Sequence, residues 1–206
     1  MIRGKFITLE GGEGVGKTTN MKYVQQLLEN TGRSVVVTRE PGGTGMAEKI
    51  RDILLDRQSE GMTPVTELLL MFAARSQHIV HVIEPALQRG QWVLCDRFTD
   101  ATFAYQGGGR GMDVETIAWL EQCVQGELRP DLTLLLDAPV ATGMGRAQRR
   151  GDFDRFEQEQ VEFFERVRQV YLQRARLNQR RFKIIDAAQS LDCVQKNIAE
   201  AIAVLS

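Results

Sequence analysis

Cysteine is scarce. The three in 206 residues, Cys95, Cys123 and Cys193, form no CxxC pair. They are too few, and odd in number, for a disulfide-stapled scaffold, and a reducing cytoplasm is the simplest expectation. Histidine is scarcer still. His78 and His81 stand three apart with no further ligands at a suitable spacing, which excludes a zinc-type site and leaves them as expected surface or helix–helix contacts. No Ser-His-Asp or Cys-His arrangement is evident. No run approaches the ~18 apolar residues of a membrane span, and residues 1–7 lack a signal-peptide core, so no membrane association is expected. An excess of charge is also missing: 26 basic against 27 acidic side chains leave a net charge of −1, a poor composition for a dedicated nucleic-acid binder. There is no internal repeat and no low-complexity segment.

The sequence does contain an alternation of short apolar runs and longer amphipathic ones. Segments 6–9, 34–38, 92–95, 132–136 and 182–185 read as strands, continuous enough in apolar character to be covered on both faces. Stretches of about 17–30, 45–56, 64–89, 113–125, 139–148, 157–179 and 190–204 read as helices. The expected fold class is therefore α/β, a parallel, doubly wound sheet flanked by helices. Four of the strands run into a carboxylate: Glu10, Asp96, Asp137 and Asp186. For Asp137 and Asp186 an ordinary turn or cap role suffices. Glu10 and Asp96 stand in more informative surroundings.

Glycine, 19 in all, is clustered. Gly11, Gly12, Glu13, Gly14, Val15, Gly16, Lys17 and Thr18 fit G-x-x-x-x-G-K-[ST], followed by Thr19. The pattern is expected by chance in on the order of 1% of chains of this length, and here it joins a predicted strand to a predicted helix. Backbone N–H groups in such a loop point into one concavity, and the helix start adds its positive end. Lys17 can reach the β- and γ-phosphates of ATP, and the Thr18 hydroxyl can ligate Mg²⁺. The GTPase signatures D-x-x-G and N-K-x-D are absent, and transport and motor ATPases are generally larger. Charge is uneven along the chain: residues 143–181 hold ten arginines against six acids, which suits a small anionic ligand as readily as a polymer. Together these features point to a small-molecule kinase.

Three further segments narrow the reading: Thr38-Arg39-Glu40-Pro41-Gly42-Gly43-Thr44, Asp96-Arg97-Phe98 and Ala104-Tyr105-Gln106-Gly107. With the phosphate loop they resemble the thymidylate kinases, over essentially the whole chain and in the same order. The resemblance implies a P-loop NTPase fold with a five-stranded parallel sheet, one domain over 1–206 and a mobile lid at about 143–155. It implies γ-phosphoryl transfer from ATP to dTMP, giving dTDP and ADP for dTTP synthesis, with Mg²⁺ as cofactor, in a cytoplasmic homodimer. It also implies that Thr102 and Gln106 meet the base edge, that Tyr105 lies where a ribose 2′-OH would sit, and that Glu13 positions the acceptor. A kinase for another pyrimidine monophosphate stays open, as does a P-loop nucleotide sensor without catalysis.

The residue chemistry agrees with that resemblance. Phe72 and Arg75, three apart, share a helix face. An aromatic face can stack on a base, and Arg75 can donate to thymine O4, where cytosine would present a donor. Whether Phe72 or Met71 lies over the base stays open. A Gln106 amide can accept from N3–H and donate to a carbonyl. Arg39 and Arg97 are candidates for the dTMP phosphate, with Pro41 beside them; Arg51 by itself would read as a solvated helix charge, and the resemblance implies the same phosphate role for it. Glu40 and Asp96 are expected to face the phosphates, Asp96 in the position of the acid that holds Mg²⁺ or its waters. Gly14 occupies a loop position where some relatives carry Arg. Arg146, Arg149 and Arg150, set between hinge-like Gly143, Gly145 and Gly151, are therefore expected to close over ATP, and an Arg placed at position 14 to stand in for one of them. Arg155 reads equally well as a structural ion pair.

Overall fold

The structure, a computed structural model, describes residues 3–56, 61–150, 155–156 and 159–205, without the side chains of positions 149 and 150. In chain order the elements are β1 (Phe6–Gly11), α1 (Lys17–Asn30), β2 (Val35–Arg39), α2 (Gly45–Leu55), α3 (Pro64–His78), a π-helical turn (Ile79–Ile83), α4 (Glu84–Gln88), β3 (Trp92–Asp96), α5 (Thr99–Thr102), a second π-helical segment (Phe103–Gly109), α6 (Val114–Gln125), β4 (Leu132–Asp137), α7 (Val140–Arg150), α8 (Val161–Leu177), β5 (Phe182–Asp186) and α9 (Leu191–Ala203). All five strands are parallel, in the order β2-β3-β1-β4-β5.

Side-chain caps set several helix starts. The Thr44 hydroxyl accepts from Ala47 N at 3.1 Å, Thr63 accepts from Thr66 N with Pro64 in the first turn, and Asp113 accepts from the amides of Glu115 and Thr116. Each such cap is worth ~1 kcal/mol. Helix α1 differs from these. It starts at Gly16 with no side-chain cap, which leaves its first N–H groups to a ligand.

Apolar alternation splits the core over the two sheet faces. Ile7, Leu9, Leu94, Leu134 and Leu136 pack against Val24, Leu28, Ile198 and Ile202 of α1 and α9. Phe6, Val93 and Phe98 pack against Ile79 and Ile83, while Leu135 and Phe182 meet Phe163, Phe164, Val167 and Tyr171 of α8. Burying each such side chain contributes ~1.5–3 kcal/mol. The central strands are covered on both faces as expected. The edge strands are not: Val37 of β2 is 43% exposed and Ile184 of β5 49%, because each has a neighbour on one side only.

A second departure lies in 64–89, which is not one regular helix. Pro85 has no N–H to give to the carbonyl of residue 81, and its ring would press on that carbonyl. The chain widens into the π-helical turn just before it. The register of the sheet brings Gly11, Arg39, Asp96 and Asp137 to one edge, the carboxyl ends of the strands, where open parallel sheets bind ligands. Asp137 there pairs with Arg168 at 2.7 and 2.9 Å, and Asp186 accepts from Ala188 N and Gln189. Both keep the modest structural roles their sequence suggested.

Candidate active site

Above the carboxyl edge lies a cavity of about 330 Å³. Glu13 and Lys17 enter it from the phosphate loop, Asp96 and Arg97 from the end of β3, and Glu40 and Pro41 from the loop after β2. Arg51 comes from α2, Arg75 from α3, and Thr102, Tyr105 and Gln106 from α5 and the π-helical segment. Eleven residues singled out in the sequence thus share one space. The wide π turn after Thr102 puts Ala101, Thr102, Tyr105 and Gln106 all on its wall.

The phosphate loop is folded around its own carbonyls. Lys17 Nζ donates to Gly12 O at 3.0 Å and to Gly11 O at 3.3 Å. Burial, and then the neighbouring Arg97 charge, hold its ammonium below the usual lysine range. Thr18 and Thr19 are exposed at the start of α1. Gly14 has φ 65°, and a Cβ placed there would lie 1.9 Å from the carbonyl oxygen of Gly143. A Cβ on Gly143 would in turn lie 2.3 Å from Glu13 O. Backbone meets backbone, so an arginine at position 14 has no room. The expected substitution for a lid arginine would require the loop and α7 to move apart, and Gly143 is a close-approach glycine inside α7.

Beside the loop, Arg97 adopts φ 67°, a conformation that costs a non-glycine residue of order 1 kcal/mol and persists only when surroundings impose it. They do so here. Its guanidinium donates to Gly11 O at 2.9 Å and Glu13 Oε1 at 2.6 Å and lies over the Tyr105 ring. Tyr105 Oη donates to the same Glu13 oxygen at 2.7 Å, and burial keeps that phenol well above its ordinary range, hence a donor. Beneath the site Glu10 accepts from Phe98 N at 2.7 Å and from Tyr171 Oη at 2.8 Å. Burial, then the nearby Asp100 charge, raise its carboxyl to about 8. Glu10 is thus a brace under the β3 end.

A second network holds Arg75, which is 2% exposed. Its Nε donates to Glu40 Oε2 at 2.7 Å and its Nη2 to Thr102 Oγ1 at 2.8 Å, with the faces of Phe72 and Phe98 on the guanidinium at 4.8 and 5.2 Å. Its Nη1 is buried and unbonded among the described residues. A third network centres on Glu67. This buried carboxylate accepts from Gln106 Nε2 at 2.8 Å, Arg110 Nε at 3.3 Å and Arg155 Nη2 at 2.6 Å. A carboxylate cannot donate, so the Gln106 amide nitrogen is turned to Glu67 and its oxygen is left for another donor. Arg155 is the structural ion pair its surroundings suggested.

Several expected residues stand elsewhere. Phe72 is buried with Leu68, Phe103 and Ile117, and Met71 lines the cavity instead. One residue is 100° of helix, enough to move the ring behind Arg75. Arg39 is exposed and pairs with Glu48 at 2.7 Å, away from the cavity wall. Arg146 donates to Ala187 O at 2.9 Å, at the end of β5. The side chains of Arg149 and Arg150, and all of Gly151, lie outside the described residues. His78, expected as a surface or helix–helix contact, is fully buried between Glu40 and Thr38. The sequence held a signal for it: Glu67, Met71, Arg75 and His78 stand four, four and three apart, one stripe of α3, and polar residues on that buried stripe mark the site.

Asp96 Oδ1 is buried and accepts no hydrogen bond among the described residues. An unbonded carboxylate oxygen at the mouth of a phosphate loop fits a divalent cation. Among the described residues no group of three or more His, Cys, Asp or Glu gathers for an all-protein metal site. None of the helices described is long and apolar enough to cross a membrane.

Comparison with known proteins was made against this geometry. The family model described as Thymidylate kinase matches residues 9–198. A thymidylate kinase of Pseudomonas putida is 63% identical over 197 residues, 96% of this chain and 94% of that protein. One from Ectopseudomonas mendocina is 60% identical over the same share of each. The crystal structure of thymidylate kinase from Ehrlichia chaffeensis superposes with a TM-score of 0.75 at 34% identity, covering 98% of both chains.

Proposed function

Since the chain belongs to the thymidylate kinase family and, with it, phosphorylates dTMP to dTDP using ATP, we propose how its residues divide that reaction. One observation carries the division: Lys17 of the phosphate loop and Arg75, whose Nη1 has no hydrogen bond among the described residues, line the same cavity. Donor and acceptor are held within one enclosure.

The acceptor base lies against Arg75, Thr102 and Gln106. Arg75 Nη1 donates to thymine O4, and the Gln106 oxygen, freed by Glu67, accepts from N3–H. Cytosine, with a donor at position 4 and an acceptor at N3, would meet the wrong partner at both. Met71 and Phe156 supply apolar walls. Arg51 and Arg97 hold the acceptor phosphate, with Pro41 fixing Arg51 through its carbonyl at 2.9 Å. Glu13 and Tyr105 border the sugar and disfavour a 2′-hydroxyl. Gly11 to Thr19 take the ATP phosphates, and Lys17 exchanges its two loop carbonyls for the β- and γ-oxygens.

Reaction joins a phosphate oxygen of dTMP to the γ-phosphorus and breaks its bond to the β,γ-bridging oxygen. The attacking phosphate is already anionic, so the protein's task is alignment and charge stabilisation. Thr18 and Asp96 would hold Mg²⁺, which when bound neutralises charge on the β- and γ-phosphates. Residues 1–206 act as one kinase domain with a lid at about 143–155, whose Arg149 and Arg150 meet the charge that Gly14 cannot. Arg146 belongs to the lid's attachment near Ala187.

The chain works in the cytoplasm, consistent with three unpaired cysteines. It does so as a homodimer, supported by Val65 and Leu69 of α3 and Trp119 of α6, each more than half exposed. Sedimentation velocity checks the dimer. ADP release measured with dTMP, dUMP and dCMP in turn checks the acceptor reading. Turnover should follow dTMP, then dUMP, with dCMP far behind, and equal turnover of dCMP would refute the base contacts.

A further inference from the structure

We propose that His78 is a positioning residue for thymine recognition, acting through Glu40 on Arg75. The inference rests on the reading that Arg75 contacts the base. His78 ends α3 and has no exposed surface, and both ring nitrogens are engaged. Nδ1 lies 2.9 Å from Glu40 Oε1 and Nε2 lies 2.7 Å from Thr38 Oγ1. The other Glu40 oxygen accepts from Arg75, so the carboxylate is an acceptor at both ends. Nδ1 therefore carries the proton, and the Thr38 hydroxyl can donate to Nε2.

The result is a relay of fixed contacts from the end of β2 into the cavity. Thr38 orients the ring, the ring fixes one oxygen of Glu40, and the second oxygen fixes Arg75 Nε. Thr102 fixes Arg75 Nη2, and among the described residues Nη1 is the guanidinium nitrogen without a hydrogen bond, the one the proposed base contact uses. His78 itself does not line the cavity. Room for the ring comes from the loop that carries Glu40: a Cβ on Gly43 would lie 2.4 Å from the imidazole Cδ2 and 2.6 Å from Nε2. Without the Nδ1–H bond Glu40 can rotate about its side chain, and the fork of Arg75 rotates with it.

Two substitutions separate positioning from packing. Asn at 78 places an amide N–H close to the Nδ1 position, whereas Gln places one close to Nε2 and fills more of the volume. His78→Asn is expected to stay within about threefold of the parent in dTMP KM. His78→Gln is expected to raise dTMP KM about tenfold, the effect of one lost hydrogen bond to a charged group, with kcat and ATP KM within about threefold. The reverse order, equal impairment of both, or a loss shared by ATP KM, would make His78 a packing residue and overturn the proposal. Parent-like dTMP KM in both would overturn it as well. If thermal unfolding shows that His78→Gln does not fold, Gly43→Ala presses the ring from outside the cavity. A several-fold rise in dTMP KM supports the proposal and an unchanged KM rejects it. Arg75→Ala run in parallel isolates the underlying reading: if it leaves dTMP KM unchanged, the base contact fails whatever His78 does.

Discussion

Arg75 and Lys17 share a cavity but are held in opposite ways. Arg75 is buried, with two nitrogens bonded to side chains from two other segments, its guanidinium between two rings, and a buried histidine behind its carboxylate partner. Lys17 is half-buried, and its ammonium rests on two carbonyls of its own loop. In the proposed division the acceptor side is braced by the protein's own side chains, whereas the donor-side cation rests on carbonyls that phosphate oxygens would replace. A preassembled site discriminates at binding, whereas a cation that moves onto phosphate is felt mainly in the transition state.

Lys17→Met tests this contrast where the effect is largest. It should lower kcat about 10²- to 10³-fold and leave dTMP KM within about threefold. A rise in dTMP KM with kcat preserved would erase the distinction. Arg150→Ala, or Arg149→Ala, should lower kcat by ~10- to 10³-fold with dTMP KM little changed. Adding Gly14→Arg to Arg150→Ala should not recover the rate. The added side chain would meet the Gly143 carbonyl at 1.9 Å and cost about 3 kcal/mol, combining overpacking with strain at positive φ. Activity recovered at an unchanged melting temperature would show that the loop and α7 can part.

On the acceptor side Arg75→Ala should raise dTMP KM about 10- to 100-fold through loss of a charged hydrogen bond, with ATP KM unchanged. The smallest effect is a pH dependence under the site. Glu10 titrates at about 8 in the folded chain, against an ordinary 4.5. Between those values the folded state retains a proton that the unfolded state has lost. Its contribution to stability is complete below about 4.5 and is lost as pH rises through 8. Urea midpoints of the parent should therefore fall relative to Glu10→Gln between pH 6 and pH 8, and parallel profiles would place the shift elsewhere.

Much of this was legible in the sequence, for reasons that also explain the misses. The three central strands announce themselves because parallel strands buried on both faces read as unbroken apolar runs, and the half-covered edge strands β2 and β5 keep enough apolar residues to read the same way. The phosphate loop is legible because its glycines and Lys17 lie within eight consecutive residues. Which side of a helix faces a cavity is harder to read. Met71 and Phe72 differ by one step and 100°, and the aromatic was the chemically attractive choice. The π turn at Phe103–Gly109 breaks the four-residue spacing on which face assignments depend, yet Thr102, Tyr105 and Gln106 still converge. Arg39 and Arg146 carry the right charge but have nearer partners in Glu48 and the Ala187 carbonyl. Partners distant in sequence do not show in local pattern, so His78 read as a surface or helix–helix contact, and its polar partners Thr38 and Glu40 went unseen.

The contrast between a built acceptor pocket and an unassembled donor site meets its most direct test in calorimetric titration of dTMP into the full chain without ATP or Mg²⁺. A preassembled pocket predicts saturable binding with a Kd within about threefold of that measured in the presence of a non-hydrolysable ATP analogue. Binding that appears only with the analogue, or tightens thirtyfold or more, would mean that the donor assembles the acceptor pocket, which contradicts the division drawn between Arg75 and Lys17.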